Sequence, residues 1–78
     1  MTPAQLRMAR VALRIGVREL ASMAGVTTAT ITRYENERGG LLAATRDKIQ
    51  AALESAGITF LDEGDIAGGP GVSLRSQA

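Results

Sequence analysis

The chain contains neither cysteine nor histidine. This excludes a disulfide framework, the usual zinc ligand sets, and any Cys/His or Ser/His nucleophile pair. No apolar run approaches the length of a membrane span and no signal peptide is visible, so a cytoplasmic protein without a membrane partner is expected. Eight acidic residues are present, but none is set in a motif with a base, a metal-ligand set or a phosphate-binding loop. The glycine-rich stretch GDIAGGPG at 64–71 precedes no helix and lacks the lysine of a P-loop, so it reads as a turn or flexible loop. Neither catalysis nor a metal or other cofactor is expected.

A length of 78 residues suffices for one small domain with one modest core. The net charge of +1 hides an asymmetry. Residues 1–56 carry eight Lys/Arg against five Asp/Glu, whereas residues 57–78 carry Arg75 against Asp62, Glu63 and Asp65. The basic part is dominated by Arg7, Arg10, Arg14, Arg18, Arg33, Arg38 and Arg46. A guanidinium donates two bonds in one plane, which suits phosphate and guanine; a solvated helical surface is the plainer explanation.

The most informative stretch is VRELASMAGVTTATITRYEN at 17–36. It reads as two short helices joined by a tight turn, the second polar on its outer face. Leu20, Ala24, Val26, Ile31 and Tyr34 fall where two crossing helices face inward. Ala21 is small enough for the helices to approach, and Gly25 sits where the turn needs a positive φ.

Around this stretch, Thr2, Pro3 and Gln5 give a T-x-x-Q capping box for a first helix from Pro3 to about Arg14. Leu6, Ala9, Arg10 and Leu13 share one of its faces. Thr27 caps a helix over 28–36. A fourth helix is predicted from Leu42 to Ala56, with Leu42, Thr45, Ile49, Ala52, Leu53 and Ala56 on one stripe and Gly57 as its stop. The periodicity then changes. Strands are predicted at 58–62 and 71–75, with Ile58, Phe60, Leu61, Val72 and Leu74 packing the tail against helix 4 or a second subunit; the alternative is a frayed tail.

RELASMAGVTTATITRYE resembles the Cro/cI-type (XRE family) helix-turn-helix domains of bacterial and phage regulators. The resemblance covers residues 3–56, most specifically R-E-L-A at 18–21, A-G-V-T at 24–27 and T-I-T-R-Y-E at 30–35. It implies a mainly α fold: a four-helix repressor-like bundle (1–56) with a short C-terminal β-hairpin or extended tail (57–78). It also implies a transcriptional regulator of the nucleoid or a phage that binds double-stranded DNA as a homodimer. Arg10 and Glu35 match a structural ion pair of that family. Gly16 and Val17 stand where the family usually has a Ser/Thr cap and a phosphate-binding Gln.

On the third helix, Thr28, Ala29, Thr32 and Arg33 form the outer face and are the candidate base contacts, with Arg33 directed at guanine O6/N7. Candidate phosphate contacts are Arg14, Arg18, Thr27 and Arg38. The competing expectation is an antitoxin-like or anti-regulator module that binds a protein partner through the acidic, two-sided apolar tail.

Overall fold

A computed structural model describes residues 1–61 and 71–75. Four helices come first: α1 (Pro3–Leu13), α2 (Val17–Ala24), α3 (Thr28–Glu35) and α4 (Ala43–Ser55). Strands β1 (Ile58–Leu61) and β2 (Gly71–Leu74) then pair antiparallel, with Ile58 opposite Leu74 and Phe60 opposite Val72. The fold is thus mainly helical with one small hairpin. Asp62, placed in the first strand by its sequence, and the turn to Pro70 lie outside the described residues.

The helix ends are chemically explicit. The Thr2 hydroxyl accepts from the Gln5 N–H at 3.1 Å, and the Gln5 side chain accepts from the Thr2 N–H at 2.8 Å. α2 starts at Gly16, without a side-chain cap. Three helices end on a left-handed residue: Arg14 (φ 58°), Gly25 (φ 69°) and Glu37 (φ 57°). In each case the following N–H reaches back over the turn, Ile15 to Arg10, Val26 to Ala21 and Arg38 to Arg33, at 3.1, 3.0 and 2.9 Å. That closure satisfies carbonyls a helix end would otherwise leave open. Arg14, predicted as the last helical residue, is instead the left-handed stop.

The core is aliphatic. Leu6, Leu20, Ile31, Ile49 and Leu53 are fully buried, joined by Ala9, Ala21, Ala24, Tyr34 and Ile58. Val26 packs against its edge. Leu42 departs from the predicted stripe: it is the N-cap of α4, with extended backbone, and is 79% exposed. The helical periodicity that would have turned it inward begins only at Ala43, and Leu41 packs on the core instead.

β1 lies against α4, but β2 lies along α1, a partner the periodicity did not suggest. Phe60 and Val72 pack against the core beside the buried Ile58. Leu61 is half-buried. Leu74 is 42% exposed and does not join the tail packing expected of it, because it sits at the far end of the last strand.

The hairpin is fastened by Gln5, itself buried. Its amide donates to the carbonyls of Leu61 and Gly71 at 2.8 and 2.9 Å. A two-stranded ribbon is marginal alone; here it is held by apolar burial on one face and by this amide at its loop end.

Candidate nucleic-acid interface

α3 is held from behind. Ile31, Tyr34 and Glu35 are its buried residues. The Arg10 guanidinium donates to both Glu35 carboxylate oxygens, Nε to Oε2 and Nη2 to Oε1, each at 2.9 Å. Its remaining nitrogen, Nη1, donates to the Ile15 carbonyl at 3.2 Å. One side chain of α1 therefore fixes the end of α3 and the entry to α2. The bonds to Glu35 raise the Arg10 pKa despite the opposing effect of burial, so the guanidinium stays charged.

Arg7 adds a bond the sequence reading missed. Its Nη2 donates to the Glu35 backbone carbonyl at 2.7 Å, and its Nε lies 3.9 Å from the carboxylate. A cation at a helix C-terminus opposes the partial negative charge there. The spacing of Arg7, Arg10 and Arg14 along one flank of α1 was the available signal. Tyr34 is fixed as well: its hydroxyl donates to the Met1 carbonyl at 2.9 Å.

With that face anchored, the opposite face is free. Thr28, Ala29, Thr32 and Arg33 are all exposed and share one side of α3. Their side chains are short except for Arg33. Arg33 runs back over the following loop, where a methyl group added at Gly39 would stand 3.3 Å from its Cδ and Nε. A hollow of about 450 Å³ lies beside it, lined by Thr30, Arg33, Gly40, Leu41, Leu42 and Thr45.

The N-terminus of α3 carries no acidic residue in its first turn. The Thr27 hydroxyl accepts from the Thr30 N–H at 3.2 Å and is hydrogen-bonded to the Thr30 hydroxyl at 2.8 Å. Its cap function is occupied, so any anion at this end meets the remaining backbone N–H groups. Arg14, Arg18 and Arg38 are exposed at the end of α1, on α2 and just after α3. Arg46, in α4, is half-exposed with its Nε 3.9 Å from Asp47.

Among the described residues, no three His, Cys, Asp or Glu side chains converge as metal ligands, and no helix is long and apolar enough to cross a membrane. No family model and no curated protein matches the chain.

Proposed function

We propose that this chain is a sequence-specific DNA-binding transcriptional regulator of the Cro/cI helix-turn-helix type, acting in the cytoplasm as a homodimer on a two-fold operator. The observation that carries the reading is the outer face of α3. It is exposed, free of acidic residues and lined with short side chains, while its inner face is tied down by Arg10, Arg7 and the core. Such a helix enters the major groove deeply. Thr28, Ala29 and Thr32 bring methyls to thymine and hydroxyls to base or phosphate edges, and Arg33 supplies the long bidentate donor for guanine. Arg14, Arg18, Arg38 and the open start of α3 at Thr27 meet the phosphates. Two copies on one face of the duplex place their α3 helices about 34 Å apart.

The test is selection of genomic DNA fragments by the purified protein at two salt concentrations, with Arg33→Ala in parallel. The expected result is a shared two-fold sequence for the native protein. The variant should lose roughly 1–3 kcal/mol of discrimination at one position per half-site while its helices stay folded. Weak, salt-sensitive binding that is equal for both proteins would overturn the reading. The protein-interaction module would then take its place, with a pull-down through residues 57–78 as the next step.

A further inference from the structure

Gly39 and Gly40 stand side by side in the loop after α3, yet their surroundings differ. Neither has the positive φ that calls for glycine. A Cβ added at Gly40 would meet nothing within 4 Å. One added at Gly39 would stand 3.3 Å from both Cδ and Nε of Arg33 and 3.7 Å from its Cγ. The bare backbone of residue 39 is therefore matched to the Arg33 stem and not to a turn.

The path of the Arg33 side chain follows from this contact. Among the described residues, no hydrogen bond or ion pair holds its guanidinium. The loop beside it is tied to α3 by backbone bonds. The Arg38 N–H donates to the Arg33 carbonyl at 2.9 Å, and the Glu37 N–H to the Tyr34 carbonyl at 3.0 Å. That closure brings residue 39 against the side chain of residue 33. Arg33 is thus laid along the loop by shape alone, with its donors free.

From this we infer that Gly39 is a positioning residue for Arg33: the space left by its missing side chain aims the guanidinium that reads guanine. The inference rests on the DNA-binding reading of α3 and names a residue outside α3 on which its specificity depends. An arginine stem has several rotatable bonds. Holding it to one path cuts the entropy lost when its donors engage a base edge. A side chain at position 39 pushes the stem off that path. The hollow of about 450 Å³ beside Arg33 has room for the displaced stem, so the substitution moves the arginine and not the loop.

The test compares Gly39→Val with Gly40→Val, each alone and combined with Arg33→Ala. All are titrated against the operator that the native protein selects and against single base changes in it. Gly39→Val should lower discrimination about fivefold or more at the position that Arg33→Ala relaxes, the low end of one bidentate guanine contact. The other positions should stay as they were. Gly40→Val should match the native protein. In the Arg33→Ala background Gly39→Val should change nothing, because residues that act through one another are not additive. Gly39→Ala, whose single methyl displaces the stem less, should fall between native and valine, and it carries the comparison if Gly39→Val does not fold. Side-chain NMR reads the geometry without DNA, as a proximity signal between the Arg33 δ-protons and the Gly39 α-protons. Absence of that signal, equal discrimination by native and Gly39→Val, or equal losses from the two valines would overturn the inference. So would a valine effect that persists without Arg33. In each of these cases a selected operator leaves the regulator standing. Failure of the native protein to select any operator brings down the regulator, and this role of Gly39 with it.

Discussion

Gln5 and Gly71, sixty-six positions apart in sequence, are joined by a 2.9 Å hydrogen bond from the Gln5 amide. The same amide nitrogen reaches the Leu61 carbonyl, and its oxygen completes the cap of α1 at Thr2. One buried side chain thus links the first turn of the first helix to both strands. Gln5→Ala removes these bonds from half-buried carbonyls and from the cap of α1, with an expected cost of about 2–3 kcal/mol. Urea denaturation should report that loss. Limited proteolysis should cut first within residues 57–78, since the hairpin has lost its tether.

The Arg10–Glu35 pair should be worth far more intact than halved. Glu35 keeps 7% of its side chain exposed and Arg10 keeps 21%. Arg10→Met strands the carboxylate with only the more distant Arg7 guanidinium, and about 3 kcal/mol of stability should go. Replacing both residues, Arg10→Met with Glu35→Leu, should recover a large part of that, because two apolar groups carry no unpaired charge. A double-mutant cycle by thermal denaturation measures the difference.

Glu37 ends α3 at φ 57°, a conformation that disfavours any residue with a Cβ. Glu37→Gly should stabilise the chain by about 0.5–1 kcal/mol, net of the entropy glycine adds to the unfolded state. Gly25→Ala is the converse. Nothing lies within 4 Å of the added methyl, so the whole cost of about 1–2 kcal/mol is conformational. Chemical denaturation of the two variants should move the midpoint in opposite directions.

Tyr34 predicts an alkaline limb. Burial raises its pKa above the ordinary 10.0, with the Arg46 charge opposing the shift. The unfolded chain therefore releases this proton first. The stability tied to the neutral phenol is fully present below about pH 10 and is lost as the pH rises through the higher folded value. Tyr34→Phe should flatten the fall in stability above pH 10. It should cost about 1 kcal/mol at neutral pH through the lost bond to the Met1 carbonyl. Denaturation midpoints across pH 8–11 would show both effects.

Much of this was legible from local rules. The capping box at Thr2 and Gln5, the Thr27 cap, the Gly25 turn and the inward set of Leu20, Ala24, Ile31 and Tyr34 follow from periodicity and terminus chemistry, which act over a few residues. Leu42 shows the limit. Its spacing fitted the stripe of the fourth helix, but the helix starts one residue later, and periodicity alone does not fix a start when no capping side chain marks it. The exposure of the candidate DNA-facing residues was implied by the same periodicity. That Arg33 runs back over Gly39 was not, because a long side chain's path depends on the loop beneath it.

The sequence by itself determined that there are four helices, the turn at Gly25 and most of the core, because periodicity and terminus chemistry act over a few residues; it fixed neither the end of α1 at Leu13 nor the start of α4 at Ala43. The tertiary structure alone decided that Gln5, already used as a cap, would also fasten the hairpin, and that Arg7 would join Arg10 at the end of α3. It also decided that β2 would lie along α1. These choices join residues dozens of positions apart. No local spacing encodes them; they follow from which buried donors and acceptors meet when the helices close on one core.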